Sequence, residues 1–459
     1  MSHSGHVPAF AFYGDDFTGA SAHLDAYRMA GLRTLLYLRT PDEAQLARHL
    51  PGLDAIGIAG VARSLPASAM EAEVRPAFEL FRRLGCRAVQ YKVCSTFDSA
   101  PDLGSIGRMM ELGRLVFGPS PIPIVAACPD AGRWTAFGQH FAEAKGEAVR
   151  LDRHPTMAHH PATPMDEADL RLHLARQTDL PVSLIDWRWL RAGPEALRAR
   201  WDALAGSAAA GIVMDALEEA DLDRAAALIW DLSAAAPVLA VAAQGLAGAL
   251  GRHAAALGLG GPAAAEPAIA PVDRLLVLSG SASPQTAAQI RAAEAAGWKA
   301  IRLDLPALMD LTPEAAAGPL EAALAEALQS APGAVAYTAL GPDDPAIPAA
   351  REAAARRGIP PEELVRRTGD LFGALVTRLA GGLGLRRAVL AGGDTSSRAM
   401  RAIDAYALRI LGFSRAAGAR ISGLVSDDPR MDGLQLLLKA GQTGSDDVFL
   451  RVRSLEGWS

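Results

Sequence analysis

Short apolar runs, each followed by a longer Ala-, Leu- and Arg-rich segment, set the rhythm of this chain. Ala9 to Tyr13, Ala55 to Ala59, Ala88 to Val93, Ile122 to Ala127 and Gly211 to Met214 have strand length, and the segments after them carry apolar residues at helical spacing. That alternation predicts βα units and a largely parallel sheet, because strands covered on both faces read as near-continuous apolar runs. Between about Ala255 and Pro271 the sequence becomes AALGLGGPAAAEPAIAP, where Gly and Pro interrupt any regular element. A second series then starts at Leu275 to Leu278 and runs through Ala300 to Leu303, Ala334 to Thr338 and Arg387 to Leu390. The pattern predicts two α/β domains with mainly parallel sheets, over 1–255 and 272–459, with an active-site cleft between them.

Composition narrows the function classes. A chain of 459 residues that is 50% hydrophobic suits two cores better than one. The formal charge of −6 leaves no broad basic surface to neutralise a phosphate backbone, so nucleic acid is not an expected partner. No apolar run reaches bilayer-spanning length, and the first residues lack the basic start and apolar core of a secretory signal, so the expected location is the cytoplasm and no membrane partner is expected. Cys86, Cys94 and Cys128 are too few for a disulfide framework and read as reduced thiols. A homodimer is compatible with all of this and not required by it.

Candidate chemistry clusters where predicted strands open into loops. YGDDFTGA places Asp15 and Asp16 at the carboxyl end of the first strand, with a helix start signalled by Thr18 and Gly19. In open α/β sheets ligands bind at that edge. Adjacent carboxylates point in different directions, so one can cap the helix while the other faces a substrate hydroxyl. YKVCST brings Lys92, Val93, Cys94, Ser95 and Thr96 to the end of another strand, where an ammonium, hydroxyls and backbone N–H groups could hold a carboxylate; a solvated loop explains the same residues equally well. Cys94 has no neighbouring His in sequence and reads as an inert thiol. Arg63 lies after a third strand, and a lone surface arginine is its cheaper explanation.

The second half offers small-residue turns. After Leu278 come Ser279, Gly280, Ser281, Ala282 and Ser283, with Ser283 placed to cap a helix that starts at Pro284. RRAVLAGGDTSSRAM repeats the design with Gly392, Gly393, Asp394 and Thr395, followed by a helix expected near Arg398. Such turns let a phosphate approach backbone donors at a helix N-terminus, although either alone also reads as a tight βα turn. Neither GxxxxGK[ST] nor a GxGxxG after a strand is present. Near the end, Lys439, Gly441 and Gly444 beside Asp446 and Asp447 either close over a nucleotide or form a turn between two strands. His154, His159 and His160, in a Pro-punctuated loop without acidic or Cys partners at ligand spacing, read as exposed; no metal ligand is assigned.

These segments together resemble the four-carbon acid sugar kinases. The resemblance spans nearly the whole chain and rests on YGDDFTGA, Arg63-Ser64, YKVCST, CPDAGRWTAFG (Cys128 to Gly138), SGSASPQT, AGGDTSS and KAGQTGSDD, in the family's order. It implies an N-terminal substrate domain and a C-terminal nucleotide domain, with ATP and Mg²⁺ as cofactors and a small sugar acid as partner. It also implies that Asp15 or Asp16, Arg63 and Lys92 to Ser95 hold the sugar acid, and that Ser279 or Ser281, Gly392 to Thr395 and Gly441 hold ATP. The implied reaction is in-line transfer of the γ-phosphoryl group to a substrate hydroxyl, with Asp16 as the expected base and Asp15 as the alternative. Two departures bear on substrate. Cys94 stands where the family commonly has an acidic residue, and Phe97 to Pro101 stands where a basic, Gly-containing stretch is usual, which points to a branched or oxidised acid such as 3-oxo-isoapionate. Asp394 stands where Glu is frequent. The rival readings are a non-catalytic sugar-acid sensor and a phosphatase of the haloacid dehalogenase type. The latter needs a second Asp two positions after the first, where this chain has Phe17 and Thr18.

Overall fold

The computed structural model describes residues 7–160, 162–260, 269–414, 418–456 and 458, with only the backbone described at Asp394. The chain forms two compact units, Met1–Ala264 and Ala265–Ser459. In the first, strands β1 (Phe10–Gly14), β2 (Thr34–Tyr37), β3 (Ala55–Ala59), β4 (Ala88–Lys92) and β5 (Ile122–Val125) precede a small antiparallel sheet of β6 (Arg133–Ala136), β7 (Gln139–Ala144) and β8 (Glu147–Arg150). The series resumes with β9 (Val182–Ile185), β10 (Gly211–Met214) and β11 (Val238–Ala242).

The main strands of this unit lie in the order β2-β3-β1-β4-β11-β5-β10-β9, and every pairing among them is parallel. Gly14 is level with Ala59 on one side and with Lys92 on the other, so three adjacent strands open into loops at one edge. β1, β3 and β4 are buried at every position, as strands covered on both faces must be. That burial places Lys92, Gln90 and Tyr91 inside the unit rather than on it.

The second unit contains β12 (Leu275–Ser279), β13 (Lys299–Arg302), β14 (Gly333–Tyr337), β15 (Arg387–Ala391), β16 (Ala407–Ser414), β17 (Ala419–Val425) and β18 (Gln435–Lys439). Their order is β13-β14-β12-β15-β18-β17-β16, parallel as far as β18 and antiparallel beyond it. Val277, Val335, Val389 and Leu437 supply a core closed from outside by Trp298, Phe449 and Val452.

The α/β expectation with mainly parallel sheets holds, and the predicted strands stand within a residue or two of their expected ends. The antiparallel pieces were not anticipated. β6 to β8 are short and partly exposed, and the inward positions of β6 and β7 are Thr135, His140 and Ala142, so no apolar alternation marks them in the sequence; β9 is an edge strand whose first three residues are only partly buried. β11, VLAVA, is a short apolar run that the sequence reading did not single out, and it lies between β4 and β5. Among the described residues, no helix is long and apolar enough to cross a membrane.

Candidate active site

The acidic turn follows β1 directly. Asp15 N donates to Lys92 O at 3.1 Å and Arg63 N donates to Asp15 O at 3.1 Å, so backbone bonds hold the ends of β1 and β4 and the turn after β3 together. Asp16 is the N-cap of helix Phe17–Met29, with extended backbone and Oδ1 accepting from Gly19 N at 3.1 Å. Capping therefore falls on the residue expected to be the base.

Around this turn the four charges compensate one another. Arg63 forks onto Asp15, with Nε 3.0 Å from Oδ2 and Nη2 2.7 Å from Oδ1, and Nη2 also reaches Asp16 Oδ1 at 2.9 Å. Lys92 Nζ donates to Asp16 Oδ1 at 2.9 Å and lies 3.3 Å from Asp15 Oδ1. Asp16 Oδ1 thus collects three donors, while Oδ2 takes none from the described residues. The Asp15 side chain is 4% exposed and that of Asp16 28%. Burial alone would raise the pKa of Asp16, but the Lys92 and Arg63 charges, with the bonds from Lys92 and Gly19 N, hold its carboxyl far below the usual carboxylate range. Lys92 and Arg63 are held charged, against their burial, chiefly by the same two aspartates. His23 is fully buried nearby, and burial followed by the Lys92 charge keeps it neutral.

Gly19 is indispensable to this packing: a Cβ there would lie 1.7 Å from Lys92 Nζ and 2.3 Å from Asp16 Oδ1. Arg63 is no lone surface arginine, and Lys92 lies on no solvated loop. Val93 offers neither a free N–H, which donates to Ala242 O at 2.9 Å, nor an exposed side chain. Of the 92–95 stretch, only Cys94 and Ser95 are partly exposed.

The loop after Lys92 is pinned from behind. His140 Nε2 donates to Ser95 O at 2.8 Å while its Nδ1 accepts from Thr135 Oγ1 at 2.9 Å; burial pushes the ring down to about 4, so it stays neutral. Phe97 is fully buried with φ 58°, a left-handed conformation uncommon for a bulky residue. Ser99, bonded to Phe97 O and to His173 Nε2, anchors the far end. Thr96 Oγ1 donates to Asp98 Oδ1 at 2.6 Å and stands 2.9 Å from Cys94 Sγ, so the Cys94 thiol is the donor of that pair. Burial pushes the thiol pKa up. Sequence reasoning missed His140 and His173, because contacts between segments tens of residues apart leave no local signal.

In the second unit, three neighbouring parallel strands, β12, β15 and β18, open at one edge into the turns expected to bind ATP. Ser279 is fully buried and Ser281 nearly so. Ser281 Oγ accepts from Ser283 N at 3.2 Å, and Ser283 caps helix Pro284–Ala295 through Thr286 N at 3.0 Å. Gly280 N donates to Ala391 O and Gly392 N to Lys439 O, each at 2.9 Å, which ties the turns in series. A Cβ on Gly280 would fall 2.6 Å from Thr395 Oγ1, and Gly392 has φ 122° with Gly280 C 3.3 Å from where its Cβ would be. The following helix starts at Gly393, five residues before Arg398, and Gly392 caps it without a side-chain bond. Gly393 and Thr395 therefore belong to its first turn, which the Gly-Gly pair disguised as loop; the side chain of Asp394 lies outside the described residues.

The third turn leads from β18 into helix Val448–Ser454, not into another strand. Gly441 O accepts from Thr286 Oγ1 at 2.9 Å, from Lys439 Nζ at 3.2 Å and from Ser283 Oγ. A Cβ on Gly441 would meet Ser281 Oγ at 2.8 Å. Elsewhere, His154 is buried rather than exposed, its Nδ1 accepting from Thr156 N and Met157 N, so it pins its own loop. The three cysteines are free. Among the described residues, no group of three or more His, Cys, Asp or Glu side chains could hold a metal ion.

Comparison with known proteins gives these two edges a context. Residues 10–250 match the sugar-binding N-terminal domain and residues 276–449 the nucleotide-binding C-terminal domain. A 3-oxo-isoapionate kinase of Paraburkholderia graminis is 39% identical over 96% of this chain and 93% of its own length. The chain belongs to the four-carbon acid sugar kinase family. A further relative, a 3-oxo-tetronate kinase of Methylobacterium radiotolerans, is 35% identical over 95% of this chain and 97% of its own. Among solved structures, a Salmonella typhimurium LT2 protein superposes with a TM-score of 0.78 at 26% identity, covering 97% of this chain and 98% of that one. As a family member, the chain has its acidic turn and its small-residue turns in different domains.

Proposed function

We propose that this protein transfers the γ-phosphoryl group of ATP to a hydroxyl of a small sugar acid, with the sugar acid bound by the first unit and the nucleotide by the second. The observation that carries this reading is the asymmetry of Asp16: one carboxylate oxygen is saturated by Gly19 N, Lys92 and Arg63, and the other remains open. An oxygen held so firmly by its partner atom is well placed to orient an acceptor hydroxyl. A carboxylate with so low a pKa is a weak base, which suffices for phosphoryl transfer, because its loose transition state asks mainly for alignment and charge neutralisation. Arg63 spends Nε and Nη2 on the aspartates and keeps Nη1 for the carboxylate of the sugar acid. Lys92, 2% exposed, acts as a positioning residue for the aspartates.

The turns at Ser279 to Ser283, Gly392 to Thr395 and Gly441 are assigned to the triphosphate. Mg²⁺ would accompany ATP, and because it dehydrates reluctantly it would need few ligands from the protein. It would neutralise charge on the phosphates.

Incubation with ATP, Mg²⁺ and a panel of oxo, branched and linear sugar acids, read by ADP release, tests the proposal. Turnover with at least one acid is expected, and Asp16→Asn is expected to lower kcat far more than it weakens ATP binding. Unchanged kcat in that variant removes Asp16 from the reaction. Binding of a sugar acid with no ADP release from any member of the panel favours a sensor, a reading that the weak basicity of Asp16 would also fit.

A further inference from the structure

Lys439 is a buried ammonium, 1% exposed, at the carboxyl end of β18. Its three protons go to Thr286 Oγ1 at 3.2 Å, Ala440 O at 2.9 Å and Gly441 O at 3.2 Å, all neutral acceptors. No carboxylate among the described residues pairs with it. Among the described residues the nearby acids are engaged elsewhere: Asp446 accepts from Gln285, and Asp447 from Ser445 and Arg451. From helix Pro284–Ala295, Thr286 and Gln289 face this turn, Gln289 donating to Thr443 O, Gly444 O and Ser445 O. β15 and the strands beside β18 bring no titratable side chain into hydrogen-bond contact with the ammonium.

A buried cation without an anion is costly unless something compensates it. Arg387 shows how the fold handles one with no ligand in prospect. It is fully buried at the opposite, amino end of β15, with its guanidinium bonded to Val452 O, Ala270 O and Gln435 Oε1 in the core of the unit. Lys439 instead stands where two helix N-termini and a bare glycine turn converge, and every one of those features favours negative charge.

We propose that Lys439 is the internal counter-charge of the nucleotide phosphates, a positioning residue that fixes the Gly441 turn beneath them. It acts from beneath the turn, because all of its protons are committed to the protein. The proposal rests on the nucleotide reading above. Burial pushes Lys439 down to about 8, so near that pH the free protein holds its proton only part of the time. A phosphate above the turn favours the charged form, and binding should draw a proton from solvent.

Calorimetric titration of the full chain with MgATP at pH 8, in two buffers of different ionisation enthalpy, measures that proton. Uptake of about half a proton per ATP is expected, falling towards zero from this group near pH 6.5. Adenosine, which lacks phosphates, is expected to give none. Lys439→Arg keeps the charge but does not titrate, so ATP binding should persist with the uptake lost; Lys439→Met should bind ATP at least ten-fold more weakly, with its fold checked by circular dichroism. ATP binding without uptake at pH 8, or equal uptake in Lys439→Arg, overturns the proposal and leaves the nucleotide reading standing. Failure of MgATP to bind at all overturns both.

Discussion

The two candidate binding edges solve the problem of buried charge in opposite ways. In the first unit, two aspartates and two cations neutralise one another within hydrogen-bond distance, and a single carboxylate oxygen is left over. In the second, the Lys439 ammonium sits under small residues and hydroxyls and, among the described residues, donates only to neutral acceptors. A site for a small polar acid needs fixed directions, and a closed set of ion pairs supplies them before any ligand arrives. A site for a triphosphate needs net positive potential at close range, which a compensated cluster would cancel. The contrast thus follows from the ligand each edge is proposed to hold.

Breaking the closed cluster should have the largest effect. Arg63→Ala leaves Asp15 buried without its guanidinium fork, and a loss of about 3 kcal/mol of stability is expected in urea unfolding. A loss under ~1 kcal/mol would mean that the cluster is a set of ordinary surface pairs. Gly19→Ala follows closely: its methyl group must displace Lys92 or Asp16, and kcat should fall about 100-fold while ATP affinity stays unchanged. An active Gly19→Ala enzyme would show that the arrangement at Asp16 is not needed.

Perturbing the open edge should cost less and appear in a different parameter. Gly441→Ala pushes a methyl against Ser281 Oγ; overpacking of this kind costs about 1–3 kcal/mol, so the KM for ATP should rise about ten-fold with the KM for the sugar acid unaltered. Equal rises in both would erase the division of labour between the edges. The smallest change is expected from Cys94→Ser. The thiol already gives its proton to Thr96, so it presents only a weak acceptor to the site. A serine would keep that bond and present a stronger acceptor, shifting kcat/KM a few-fold towards acids with a hydroxyl, rather than an oxo group, at that point. A ratio unmoved across the substrate panel would place Cys94 away from the substrate.

Much of this was legible in the chain before folding. The apolar runs marked the parallel strands because burial on both faces demands them, and Ser283-Pro284 marked its helix because cap and first-turn chemistry are local. Asp15, Asp16, Arg63 and Lys92 were visible as candidates, each with an ordinary explanation beside it. The chain alone could not say that Asp16 would be the cap, that Lys92 would be buried, or that Lys439 would have no acid paired with it among the described residues. It also concealed the pins on the 94–99 loop, where His140 and His173 come from 45 and 74 residues away. Local sequence determines which backbone shapes and periodicities are affordable, so it determined the elements and the fold class. Charge state and hydrogen-bond partnership depend on what is packed within a few ångströms, and parallel sheets bring together strand ends far apart along the chain. For that reason, only the tertiary structure decided which of two aspartates keeps an open oxygen and that Lys439, like Arg387, has no carboxylate partner among the described residues.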